Sequence, residues 1–293
     1  MSQALPKRKR FRGLPPKLQE KIGLAILQLL VTIGAIITFI PALWMVSGSF
    51  KIEKNIFLSP PQWIPDPWTW NNYKEAFTIL PFARFTMNTL IVVAFSLLGT
   101  FLSNTLTAYG FARLRARGRE ILFLLLLSTI MLPAYVTLIP TYVLFSKLGW
   151  INTFLPLIVP TFFGSPFWIF MLRQFYMTIP LELDEAARID GASSLQIFWQ
   201  VILPLSKPAL TTLVIFTFLN VWKDFFRPLI YLNTQDKFTL SIGLNLLKGT
   251  ADYQTRYDLL MAVSTVMSLP PLILFFLAQK YFIQGLAMTG LKG

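Results

Sequence analysis

Two charged clusters interrupt an otherwise oily chain. Glu182-Leu183-Asp184-Glu185-Ala186-Ala187-Arg188-Ile189-Asp190-Gly191 gathers four carboxylates and one guanidinium, and Trp222-Lys223-Asp224-Phe225-Phe226-Arg227-Pro228 sets two cations and a carboxylate in an apolar run. Neighbouring carboxylates can do acid–base work, but the rest of a catalytic kit is missing. The chain has no His and no Cys, which excludes a Ser-His triad, a thiolate zinc site and imidazole metal ligands. No GxxxxGK[ST] phosphate loop and no strand-flanked GxGxxG occurs. Neither catalytic nor metal-ligating residues are therefore expected. The chemistry left to these clusters is recognition.

The first cluster reads as a short helix. Pro180 suits a first helical turn, Glu182, Asp184 and Glu185 sit near its positive end, and Arg188 is placed to pair with Asp184 or Glu185. Gly191 stops it. Ser193 and Gln196 then match a capping box that opens a second helix. In that helix Ser193, Gln196 and Gln200 form a polar stripe, and Leu195, Phe198, Trp199 and Ile202 an apolar face for lying along a membrane. Leu203-Pro204 ends it, and Pro208 opens the next apolar run. Ala186 and Ala187 leave a flat surface on the first helix, suited to a partner's groove. A solvated amphipathic loop fits the same residues, and the residues alone leave both readings open.

In the second cluster Lys223 and Arg227 are four apart, hence on one helical face, with Asp224 beside them. Charges near membrane depth either snorkel to an interface, here with a Lys223–Asp224 pair, or face a watery path. In a path they would favour anionic sugars, Arg contacting carboxylates in bidentate fashion. Tyr109, Phe163 and Trp168 suit either sugar stacking or bundle packing.

The elements that must position these clusters are membrane spans. The chain is 55% hydrophobic and 13% charged over 293 residues, against about 25% charged in soluble domains. Ile22–Phe50, Phe85–Ala112, Ile121–Ser146, Leu148–Leu172 and Leu259–Gln279 are uncharged and long enough to cross a bilayer. Pro208–Trp222, continued past Lys223-Asp224 by FFRPLIYL, makes a sixth. The expectation is an all-α membrane protein of six transmembrane helices. Lys7, Arg8, Lys9, Arg10, Arg12, Lys17 and Lys21 precede the first span, and Arg113, Arg115, Arg117 and Arg119 follow the second. This bias places both termini in the cytosol. The net charge of +13 is therefore an orientation signal with lipid headgroup contact, not a nucleic-acid surface. The segment SPPQWIPDPWTWNNY on the outer side reads as a compact loop near the interface.

Glu185-Ala186-Ala187, Gly191 and Val201-x-Leu203-Pro204 stand at the spacing of the EAA loop of ABC importer permeases, which they resemble. SPPQWIPDPWTWNNY (59–73), PFARFTMNT (81–89), AYGFARL (108–114), LGWINT (148–153) and QKYFIQGLAMTGLKG (279–293) resemble the carbohydrate, MalG-like branch, so the likeness covers nearly the whole chain. The resemblance implies the type I ABC importer permease fold. It divides the chain into a basic cytosolic tail (1–21), a first transmembrane helix (22–50), an extracytoplasmic loop (51–84), a five-helix core (85–282) with a coupling loop (173–207), and a cytosolic C-terminal tail (283–293). It implies a permease subunit in a bacterial cytoplasmic membrane, not an enzyme, importing oligosaccharides. A second MalF-like permease chain, an ATPase dimer that binds ATP-Mg, and an extracytoplasmic solute-binding protein are the implied partners. This chain itself binds no cofactor.

Carried over by residue, Glu185, Ala186, Ala187, Asp190, Gly191, Leu203 and Pro204 would couple to the ATPase. Gln284, Gly285, Thr289 and Gly290 of the tail would reach between the ATPase subunits, where a frayed terminus is the alternative. Lys223, Asp224 and Arg227 would line the substrate path, acidic oligosaccharides of the alginate type being one substrate class. A polyol, glycerol-phosphate or peptide permease is the alternative within the class. A secondary transporter would need interrupted repeats around a coupling-ion site.

Overall fold

Pro16 occupies the first turn of a 33-residue helix, α1 (Pro16–Gly48), where its missing N–H costs nothing. In the computed structural model, which describes residues 15–248 and 255–290, every regular element is helical. The residues Lys7, Arg8, Lys9, Arg10 and Arg12 of the basic tail lie outside that range.

After α1 an irregular segment, residues 51–70, leads into α2 (Asn71–Ile79). It folds back on the end of α1. Ser47 Oγ donates to the Trp63 carbonyl at 2.5 Å, Asn72 Nδ2 to the carbonyls of Ser49 and Lys51 at 2.9 and 2.7 Å, and Phe50 stacks on Trp68. Arg256 clamps the segment to the far end of the chain through Glu75 at 2.9 Å, Asp258 at 2.8 Å and Glu53 at 3.4 Å. The hydrogen bonds to Asp258 and Glu75 raise the Arg256 guanidinium above its ordinary value.

The central element is α3 (Phe82–Arg113), 32 residues and about 48 Å long. One core cluster forms around its start, with Phe82, Phe85, Val92 and Val93 against Trp222, Leu240 and Leu259. A second forms around its end, with Ala108 and Tyr109 against Leu172, Tyr176, Ile197, Phe198 and Leu213. Small residues let the neighbours close in: a Cβ on Gly99 would lie 2.4 Å from Thr161 Oγ1 and 2.6 Å from the Phe162 ring.

The chain continues through α4 (Arg119–Ser128), α5 (Ala134–Lys147), α6 (Leu155–Ile158) and α7 (Pro166–Met177) to the first charged cluster, α8 (Glu182–Ile189). Then follow α9 (Ser194–Ile197), α10 (Leu203–Leu205), α11 (Lys207–Trp222), α12 (Phe226–Tyr231), α13 (Leu240–Leu246) and α14 (Tyr257–Gly290).

Among the described residues, four helical stretches are long and apolar enough to cross a membrane: Glu20–Gly48, Phe82–Arg113, Leu155–Met177 and Tyr257–Gln279. Two bent pairs qualify only when joined, Arg119–Met131 with Tyr135–Lys147 and Ser194–Leu205 with Lys207–Trp222, for up to six. The run Ile121–Ser146, expected as one span, bends by 101°. Pro133 disfavours helical backbone at Leu132, which is extended. The run Leu148–Leu172 is likewise redrawn. A turn with Asn152 in the left-handed region opens it, the Asn152 side chain accepting from the amides of Asn233 and Thr234, and the long stretch starts only at Leu155. The apolar window of α1 is exposed throughout, and α1 meets α14 where Gly48 adjoins Met261.

Candidate functional site

α8 projects from the end of the molecule where α3 and α7 finish. Its helix starts at Glu182, with Leu181 as N-cap, so Pro180 lies just ahead of the first turn expected for it. Glu182, Asp184 and Glu185 fall in that turn, where the helix dipole favours them. The end is a Schellman motif: the Ala192 amide reaches the Ala187 carbonyl at 2.9 Å and the Gly191 amide the Arg188 carbonyl at 3.0 Å. Gly191 supplies the left-handed residue this closure needs, with φ +84° and open space around it. Two residues later the capping box is formed in both directions, Ser193 N to Gln196 Oε1 at 2.8 Å and Gln196 N to Ser193 Oγ at 3.4 Å. A closure followed at once by a cap makes a rigid corner.

Most of α8 faces away from the protein. Ile189 is 86% exposed, and Leu181, Leu183, Glu185, Ala186, Arg188 and Asp190 are also exposed. Glu185 and Arg188 make no ion pair among the described residues. Asp184 is the exception. It is buried, and it pairs with Arg113 at 3.7 Å instead of with Arg188 as the spacing suggested. The fold brings α3 under that face, so Asp184 points inward and Arg188 outward.

Beyond the corner, α9 runs into a π-helical turn, Phe198–Ile202. Its wider register puts Ile197 and Ile202, five apart, on the same buried side with Phe198. Leu195 and Trp199 point outward, so the single apolar face expected of Leu195, Phe198, Trp199 and Ile202 is split in two. Leu203 and Pro204 lie in α10, and an 80° bend separates Ser194–Leu205 from α11. The π turn with Pro204 and Pro208 accounts for that bend.

The second cluster does not form one helical face. α11 ends at Trp222, whose Nε1 donates to the Met267 carbonyl at 3.0 Å, and α12 restarts at Phe226. Asp224 accepts from the Arg227 amide at 3.3 Å and from its Nε at 2.5 Å, while Ser241 Oγ holds the Asp224 carbonyl at 2.6 Å. The expected Lys223–Asp224 pair is thus replaced by Asp224–Arg227, the carboxylate one residue ahead of the N-cap Phe225 accepting from both the amide and the Nε of Arg227. Lys223 is exposed and makes no ion pair among the described residues.

Among the candidate aromatics, Phe163 is 83% exposed, whereas Tyr109 is buried with its hydroxyl on the Ser194 carbonyl at 3.0 Å. Gln284, Gly285, Thr289 and Gly290 continue the backbone of α14. Their side chains, and residues 291–293, lie outside the described residues. No group of three or more acidic side chains suited to a metal occurs among the described residues.

Comparison with known proteins places this geometry. Residues 104–288 match the model of the family described as binding-protein-dependent transport system inner membrane component. The arabinooligosaccharides transport system permease protein AraQ of Halalkalibacterium halodurans is 36% identical over 279 residues, 92% of this chain and 98% of that one. The galactooligosaccharides transport system permease protein GanQ of Bacillus subtilis is 34% identical, covering 94% and 98%. A bacterial ABC transporter involved in the import of the acidic polysaccharide alginate contains a chain of the same fold. Its TM-score is 0.81 at 22% identity, over 92% of this chain and 99% of that one. By the family match and by full-length relatives above 30% identity, the chain belongs to the binding-protein-dependent transport system inner membrane components, the permeases of ABC importers.

Proposed function

We propose that the chain is the permease subunit of an ATP-driven oligosaccharide importer and that α8 docks it to a cytosolic ATPase. The observation that carries this reading is α8 itself. It is a short helix closed by a rigid corner, turning exposed Leu181, Ala186 and Ile189, and the charges Glu185 and Arg188 that make no ion pair among the described residues, away from its own protein. Exposed apolar surface flanked by unpaired charge suits a groove in another chain. Glu185 meets a basic residue of the ATPase, and Ala186 and Ala187 let the surfaces approach. Asp190 and Gly191 form the corner, and Leu203 and Pro204 the return to the membrane. The sugar class is supported by the relatives AraQ and GanQ, named for arabino- and galactooligosaccharides.

In this reading both termini are cytosolic and six spans cross a bacterial cytoplasmic membrane. The segment α9–α10 lies along its face, and α11, about 24 Å long, crosses with α12 completing the depth. Residues 1–21 and 283–293 are cytosolic tails, residues 51–84 are extracytoplasmic, and residues 85–282 form the core with its coupling loop at 173–207. Gln284, Gly285, Thr289 and Gly290 reach between the ATPase subunits, and Lys223, Asp224 and Arg227 border the path. A second, MalF-like chain completes that path, a solute-binding protein feeds it, and the ATPase dimer holds ATP-Mg.

Glu185→Lys tests the docking role. In proteoliposomes holding the whole complex, the variant should assemble and hydrolyse ATP while sugar uptake per ATP falls at least tenfold. Uptake at the parent ratio would remove α8 from the coupling route.

A further inference from the structure

One face of α3 grips the chain before, within and after α8. Tyr109 and Arg113 are four residues apart, one above the other on the helix, and both are buried. Arg113 Nη2 donates to the carbonyls of Tyr176 at 2.8 Å and Ile179 at 2.7 Å, the end of α7 and the link into α8. Its Nε lies 3.7 Å from Asp184 Oδ2, inside α8. Tyr109 Oη donates to the Ser194 carbonyl at 3.0 Å, beyond the Gly191 corner, and its ring centroid lies 5.2 Å from that of Phe198. The grip is therefore made by a helix that is not joined in sequence to the segment it holds.

The Arg113–Asp184 pair is oddly built for a staple. Both side chains are almost fully buried, 2% and 6% exposed, yet Arg113 Nε and Asp184 Oδ1 have no hydrogen-bond partner among the described residues. At 3.7 Å the two groups attract without a hydrogen bond between them. A buried, under-bonded ion pair contributes little net stability compared with apolar packing, but separating its members strands a desolvated charge. Such a contact resists being pulled apart while tolerating small changes of distance and angle. α3 can carry what it receives: the Ser165 amide on Asn104 Oδ1 at 2.7 Å and the close approach at Gly99 bind it to the 155–177 stretch.

We infer that Tyr109 and Arg113 are positioning residues that lock α8 to α3, so that displacement of α8 by its partner is delivered through the Arg113–Asp184 and Tyr109–Ser194 contacts to the opposite end of α3. The inference rests on α8 being the docking helix.

The natural absence of Cys makes the test clean. In the complete complex, Met87→Cys at the far end of α3 carries a bimane label. Separately, Ala186→Cys is offered for cross-linking to the ATPase subunit. ATP with vanadate should shift the bimane emission, and both Asp184→Asn and Tyr109→Phe should remove at least half of the shift while cross-linking persists at the parent yield. Asp184→Glu, which keeps the charge, should recover it. A full shift in Asp184→Asn overturns the inference, and so does the absence of any shift in the parent. Loss of both signals without recovery in Asp184→Glu assigns the pair to folding alone, which also overturns it. Failure of Ala186→Cys to cross-link in an otherwise unaltered chain would instead overturn the docking reading beneath it.

Discussion

At the scale of the residue, Gly191 separates backbone need from side-chain need. Its φ of +84° falls where L side chains are strained, and no neighbour would obstruct a Cβ. Substitution therefore acts through the backbone, at roughly 1–3 kcal/mol for a residue other than Gly. Gly191→Val should open the corner and lower coupled uptake severalfold, whereas Gly191→Asn, tolerant of left-handed backbone, should keep most of it. Uptake assays on the two variants decide, and equal losses would mean that the corner is not the cause. The corner was readable in the sequence because Gly191, Ser193 and Gln196 act on backbone a few residues away. Asp184 was not readable. In the sequence it stands among carboxylates expected at the surface, and its partner Arg113 opens the basic run 113–119; only the packing of α3 beneath α8 turns both inward.

At the scale of the element, local chemistry gave the helices and missed their geometry. Uncharged runs located the apolar stretches, but run length hid the 101° bend at Leu132-Pro133 and the π turn before Pro204. The irregular segment, residues 51–70, carries a burial the sequence also concealed. Lys51 is 1% exposed, its Nζ lies 3.8 Å from the Trp44 ring centroid and has no hydrogen-bond partner among the described residues, and burial lowers its pKa. The cation–π contact offsets part of that desolvation. Because the folded value lies below the usual ~10.4, the unfolded segment holds the proton more tightly. Stability should then rise with pH through the interval between the two values. Thermal melts of the chain in nanodiscs, followed by tryptophan fluorescence from pH 7 to 10, should show that rise, and Lys51→Met should flatten it. Identical slopes in parent and variant would exclude Lys51 as the source.

At the scale of the whole molecule, the fold class was legible because membrane spans are written as long uncharged runs. The disposition of Lys223 and Arg227 was not, since the helix breaks between them. Arg227 is partly neutralised by Asp224, and Lys223 is left exposed, a local net charge of about +1 beside the proposed path. That charge predicts that uronate oligosaccharides, with the binding protein present, stimulate ATP hydrolysis more than neutral arabino- or galactooligosaccharides. Lys223→Gln with Arg227→Gln should erase the difference, reducing uronate stimulation about fivefold. Stimulation by neutral sugars alone would assign both cations to the membrane interface.

The seam between Gly48 and Met261 joins the first long helix to the last. A ribosome finishing 5–20 residues per second needs roughly 10–40 s to travel from one to the other. Read as a membrane span, α1 would stand in the bilayer through that interval before the helix it packs against exists, held there by its own hydrophobicity. The apolar surface of α1 beyond Lys21 is thus a matter of birth order: as a span, this helix would have to be a competent lipid anchor before it could be part of a bundle.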